Sequence, residues 1–169
     1  PRYVRTQSKL PISGQMRFDS DDMDSMIQKG TFDEVILHEM GHVLGLGTLW
    51  SYMGLTNDNN SQYYGVNAVR EWNSLLQSSN TTTSIPLETE GGPGTAGGHW
   101  SEAVFGHEMM TGYLSGEEQP LSRITIGSLE DMGYKVNYSP ADPFSIADVN
   151  WDWSMAQQGS TASQSSMSL

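Results

Sequence analysis

Apolar and polar residues alternate along Gln15-Met16-Arg17-Phe18-Asp19. That period-2 pattern predicts a half-buried strand, with loop before it and a short polar helix or turn after it. The acidic cluster from Asp19 to Asp24 reads as a solvated helix start. A cation site is the weaker reading, because no loop of regularly spaced ligands is visible. The next segment is the best marked. Thr31 is an N-cap candidate and Glu34 stands three residues on, the spacing of a capping box. Asp33 and Glu34 would occupy a first turn, where the helix dipole favours anions. Val35, Ile36, Met40, Val43 and Leu44 supply apolar faces, and Gly45 and Gly47 offer a positive-φ stop.

Beyond residue 48 the pattern loosens. Asn57-Asp58-Asn59-Asn60 signals a turn. Residues 67–76 form a candidate helix with Val69, Trp72, Leu75 and Leu76 on one side, and 78–84 is polar loop. Glycines at 91, 92, 94, 97 and 98 mark an irregular stretch, which a compact domain rarely carries without a functional reason. Residues 121–134 read as a helix with Ile124, Ile126, Leu129 and Met132 as core candidates and Gly133 as its stop. After Trp153 the chain is rich in Ser, Gln and Ala. One domain over 1–153 and a disordered tail over 154–169 are expected.

Length and charge narrow the function. A chain of 169 residues suits one domain. Eight basic against 20 acidic residues give a net charge of −12, which disfavours a nucleic-acid partner. The absence of cysteine excludes disulfides and thiolate metal ligands. No run approaches the roughly 18–20 apolar residues of a membrane span, and no secretory signal is visible. Because the first residue is Pro1, the sequence is treated as a processed product, for which the missing signal says little.

His38-Glu39-Met40-Gly41-His42 is an HExxH motif on the predicted helix. Residues four apart lie one turn above each other on the same helix face, so two imidazoles so placed can share one metal ion. Glu39 is offset by about 100° and is free to reach a metal-bound water. Zinc is the natural partner of imidazole nitrogens in a hydrolytic site without redox chemistry. A catalytic zinc site has three protein ligands and one open position. Glu39 would then act as general base. HExxH alone has a real rate of chance occurrence; the helix signals and the closing Gly45 strengthen it here. A third ligand could come from His99 or His107, the remaining histidines, or from Glu71 on the 67–76 helix.

The segments VILHEMGHVLGLGTLW (35–50) and GGPGTAGGHWSEAVFGHEMMTGYL (91–114) resemble the leishmanolysin family of metzincin peptidases, specifically its bacterial members. Most metzincins extend the motif to HExxHxxGxxH; here Gly45 matches and Thr48 replaces the last His. In the family, an insertion separates that His, which is followed by Trp and then a Met-turn. The resemblance implies His38, His42 and His99 as zinc ligands, Glu39 as general base and Met110 as the Met-turn methionine. It covers roughly residues 10–145, including a helix like LSRITIGSLEDMGYKVN (121–137). It implies an α/β (α+β) metzincin-like catalytic domain, lacking its first strands and backing helix, since only 37 residues precede His38. An upper part would carry the Met16–Phe18 strand and the motif helix, and a lower part His99, the Met-turn and the last helix. The reaction implied is zinc-dependent endopeptidase hydrolysis of an extended peptide, by one catalytic zinc, in a secreted or cell-surface protein; a monomer is expected. The cysteines of the protozoan members are absent, so their disulfides and membrane anchor do not carry over.

Other residues have plainer readings. His107 stands three residues before Met110 and reads as a loop residue, and Glu71 as a solvated helix residue. Tyr113 could donate to a transition-state oxyanion, although a core or rim tyrosine is the simpler reading. Trp50, Trp72 and Trp100 read as packing, with Trp100 able to orient His99. Glu88 and Glu90 are weak candidates for an additional structural cation. The alternative to a protease is a catalytically silent zinc-binding or adhesion module, or an inactive fragment. Glu39 argues against it, because a purely structural site needs no base.

Overall fold

The computed structural model describes residues 1–76, 81–113 and 118–145. The tail expected at 154–169, the boundary beside it and the start of the polar loop at 78–84 lie outside these residues. The chain opens with β1 (Tyr3–Val4) antiparallel to β2 (Pro11–Ser13). The strand expected at 15–19 does not form. Met16 and Phe18 are nevertheless more buried than Gln15, Arg17 and Asp19, and Phe18 lies edge-on to Phe32 at 5.8 Å. The alternation reports a half-buried extended segment. Among the described residues no strand runs beside it, because β1 already pairs with 11–13.

Helix α1 (Ser20–Lys29) starts at Asp19, whose carboxylate accepts from the Asp21 N–H, and it buries no residue. The acidic cluster is thus a capped, solvated helix start. Helix α2 (Phe32–Leu44) carries the HExxH motif. Thr31 is its N-cap residue, but its side chain makes no capping bond, so the expected capping box is absent. The cause is local. Gly30 ends α1 in a left-handed turn, and the Thr31 N–H bonds back to the Met26 carbonyl. Thr31 is thereby held at φ −98°, ψ 0°, away from the extended conformation that side-chain capping requires. Gly45, at φ 107°, ends α2 as expected. Leu37, Met40 and Leu44 lie 40–54% exposed, so Met40 and Leu44 do not serve as core.

The core lies below this helix. Trp50, opening α3 (Trp50–Met53), packs against Trp100 at 4.6 Å and Tyr63 at 5.0 Å between ring centroids, and all three are fully buried. Their polar tips are satisfied: the Trp50 indole N–H donates to Ser128 Oγ, the Trp100 indole to Thr125 Oγ1 and the Tyr63 hydroxyl to Asp131. Tyr63 belongs to β3 (Gln62–Tyr63), which pairs antiparallel with β4 (Ile85–Pro86). Helix α4 (Val66–Leu76) lies on α6 (Arg123–Asp131). Gly127 allows that approach, since a Cβ there would meet the Ala68 nitrogen at 2.8 Å. Asp131 accepts from the Asn67 and Ala68 N–H groups, capping α4 from a distant part of the chain. Short helix α5 (Glu102–Phe105) follows the Gly-rich loop. The architecture is α+β, with small two-stranded ladders among its helices. Among the described residues no helix is long and apolar enough to cross a membrane.

Candidate metal centre

Helix α2 places His38 and His42 one turn apart, and the loop from Gly91 to Gly98 returns His99 to them. Two close approaches shape that loop. Gly47 has φ +67°, and a Cβ on it would lie 1.9 Å from the Gly98 carbonyl oxygen. Only glycine lets the two segments meet there. The Glu88 N–H and carbonyl bond to His99 and Gly97, so the loop is closed at its neck.

Three imidazole Nε2 atoms converge. His99 Nε2 lies 3.2 Å from that of His38 and 3.0 Å from that of His42. Each ring's other nitrogen faces a backbone carbonyl: His38 Nδ1 to Met109 at 2.8 Å, His42 Nδ1 to Leu46 at 2.9 Å and His99 Nδ1 to Thr95 at 2.9 Å. A carbonyl can only accept, so each Nδ1 carries the hydrogen and donates it. Burial lowers the His99 pKa to about 4 against its bond to Thr95, with His42 and His38 adding to the effect. Burial also lowers that of His42. In the neutral form, this tautomer turns three bare lone pairs on one another. They cannot hydrogen-bond among themselves; a cation between them removes the conflict. The spacings are close to the edge of about 3.3 Å that tetrahedral coordination at zinc–nitrogen distances implies. The donor set therefore fits a metal ion, and no other group of three or more His, Asp or Glu side chains among the described residues does.

Met110 supports the site from below. A Cβ on Gly41, between the two α2 histidines, would lie 2.8 Å from the Met110 sulfur. Met110 is fully buried, and its carbonyl accepts from the Trp100 N–H, binding the turn to the residue after His99. Glu39 has no place in the histidine cluster; it lies on the wall of two cavities. One, of about 440 Å³, runs past His42, Thr48 and Ser51 to the Gly94–Gly98 loop. The other, of about 180 Å³, lies between Val35, His38 and the Thr111–Tyr113 segment.

The other candidates are engaged elsewhere. Glu71 is buried between α4 and α6, bound to Arg70 and to Arg123 at 2.6 Å. His107 stacks edge-on against Phe144 and is outside the histidine cluster. Glu88 satisfies its carboxylate with the N–H groups of Thr89, Glu90 and Glu102, which leaves little call for a cation. Tyr113 is half-exposed on the rim of the smaller cavity.

The family model for peptidase family M8, described as leishmanolysin, matches residues 4–151. The chain belongs to the leishmanolysin family. Two leishmanolysin-like peptidases from flies are similar over shorter stretches. That of Drosophila pseudoobscura pseudoobscura is 46% identical over 60 residues, 35% of this chain and 9% of its own length. That of Drosophila melanogaster is 42% identical over 65 residues, 38% of this chain and 9% of its own length. The matched segment is thus under a tenth of either insect protein. These comparisons support the leishmanolysin family and do not single out its bacterial branch.

Sequence reading missed one buried carboxylate next to the turn that holds His38. Glu108 is completely buried directly beneath the turn that carries Met110. The signal was a lone carboxylate between apolar Phe105 and Met109-Met110, with hydroxyl residues at 122 and 125 to receive it.

Proposed function

We propose that this chain carries the catalytic centre of a zinc-dependent metalloendopeptidase of metzincin type. The observation behind this reading is the convergence of three Nε2 atoms, each with its Nδ1–H tied to a backbone carbonyl. Such outer bonds fix ring orientation and raise ligand basicity. His38, His42 and His99 would hold the zinc. Zinc bound there would lower the pKa of a coordinated water from about 15.7 towards 7 and polarise the scissile carbonyl.

The chain's own residues supply the rest. Glu39, on the wall shared by both cavities, accepts the proton of the attacking water and returns it to the leaving amine. The substrate is a protein segment bound extended across Glu39, with one cavity on either side. The smaller cavity receives a side chain next to the cleaved bond; Thr111, Tyr113 and Gln119 make its wall less apolar than a purely hydrophobic pocket. Met110 acts as the Met-turn methionine, holding the floor of the site against Gly41. A secreted or cell-surface location fits this reading, on the strength of the family alone.

The test is Glu39→Gln. Gln keeps the side chain's size and cannot accept the proton. Cleavage of a quenched protein substrate should fall by roughly 10²–10⁴-fold with zinc content unchanged. Undiminished cleavage would remove Glu39 from the reaction.

A further inference from the structure

One peptide unit joins the histidine cluster to a buried carboxylate. The carbonyl of Met109 accepts from His38 Nδ1 at 2.8 Å. The N–H of Met110 belongs to the same peptide unit and donates to Glu108 Oε2 at 2.6 Å. The peptide is trans, so these two groups point in opposite directions. His38 sits at one edge of the peptide and Glu108 at the opposite edge. The other Glu108 oxygen, Oε1, accepts from Ser122 N–H at 3.1 Å, Ser122 Oγ at 2.6 Å and Thr125 Oγ1 at 2.6 Å. The Thr125 hydroxyl receives the Trp100 indole N–H at 2.7 Å, which leaves its own hydrogen for Glu108.

The geometry points to Glu108 as a positioning residue of the metal centre, acting on His38 through the Met109–Met110 peptide. This rests on the zinc-site reading above. The backbone donors can only donate, and both hydroxyls already accept, from the Trp100 indole and the Thr125 N–H, so the cradle suits a carboxylate. A buried charge is costly. The four donors need an acceptor, and an apolar side chain would leave them buried and unpaired. Burial pushes the Glu108 carboxyl up, and its hydrogen bonds from Ser122, Thr125 and Met110 pull it partly back down. The ionised form that this donor set suits polarises the peptide through Oε2, and the Met109 carbonyl becomes a stronger acceptor for His38. Carboxylate–imidazole–metal relays fix the ligand's tautomer and basicity; here one peptide unit stands between carboxylate and ring. The same turn returns to His99 through the Met110 carbonyl and the Trp100 N–H, at 3.0 Å. Glu108 therefore ties two of the three metal-facing histidines to the N-terminus of α6, where Ser122 is the N-cap.

The test compares Glu108→Gln with Ser122→Ala in the full chain. Ser122→Ala removes a donor from Oε1 and leaves the bond to Met110 in place. Three quantities are read for each: the zinc dissociation constant by competition with a chromophoric chelator, the unfolding stability without zinc, and the His38 tautomer from ¹⁵N imidazole resonances without zinc. Glu108→Gln should raise the zinc constant about 10–100-fold, the usual cost of losing an outer-shell partner, and should mix the His38 tautomers. Ser122→Ala should lower stability while leaving the zinc constant and the tautomer near wild type. If zinc affinity follows lost stability equally in both variants, Glu108 is only a fold staple and the proposal is overturned.

Should Glu108→Gln not fold, the wild-type spectrum decides. A charge-assisted bond of this length moves the Met110 amide proton far downfield, and an ordinary position overturns the proposal. Wild type that binds no zinc would defeat the zinc reading alone. The tautomer and amide resonances judge Glu108 separately.

Discussion

Helix α2 and the chain below it are built in opposite ways. Within α2 only Gly41 is buried, α1 buries nothing, and Leu37, Met40 and Leu44 stand open to solvent. From Leu46 onward the chain encloses Trp50, Tyr63, Trp72, Trp100, Phe105 and Met110 in one core. Glu39, His38 and His42, the residues proposed to carry the chemistry, belong to the lightly packed helix. Their orientation comes from the other region: Met109 holds His38, Leu46 holds His42 and Met110 lies under Gly41. The lesson is a division of labour, with the chemistry on a helix and its precision on a packed floor.

Breaking the floor should cost most. Trp100→Ala empties the centre of the aromatic cluster and loosens the segment that follows His99. A loss of about 3–5 kcal/mol is expected in denaturant unfolding, with zinc binding lost alongside. A variant as stable as wild type would show that the aromatic cluster does not hold the site.

A smaller effect separates the regions by pH. Burial, with the hydrogen bond to Glu130, pushes the Tyr138 hydroxyl up to about 12. The unfolded phenol titrates near 10. Between those values the folded chain holds more protons than the unfolded one, so stability falls as pH rises. Tyr138→Phe should flatten the decline between about pH 10 and 12, followed by thermal unfolding. An unaltered slope would place the titration elsewhere.

The smallest effect is expected on the outer face of α2. Leu37→Lys and Met40→Lys change exposed positions within a helix, and each should shift stability by no more than about 0.5 kcal/mol. A large loss in either would mean that α2 depends on that face and would erase the contrast.

How much of this was legible in the sequence follows the same division. HExxH and its Gly45 stop were readable because their spacing is local to one helix. The α6 pattern was also readable, Ser122 proving to be its N-cap by accepting from the Thr125 N–H. The Thr31–Glu34 capping box misled, because the preceding Gly30 turn decides the backbone at Thr31. The strand at 15–19 misled because alternation reports burial and does not supply a partner. His99 could be favoured over His107 only by resemblance, since a loop of glycines has no periodicity to place it. Glu108 escaped because its partners lie 14 and 17 residues away, and nothing periodic links them.

The most direct measurement of the central claim is bound zinc in wild type, His99→Ala and His107→Ala, after equal exposure to the metal. The account predicts one zinc per chain in wild type and His107→Ala, and none retained in His99→Ala. If His99→Ala keeps its zinc as tightly as wild type, the three-histidine centre is wrong.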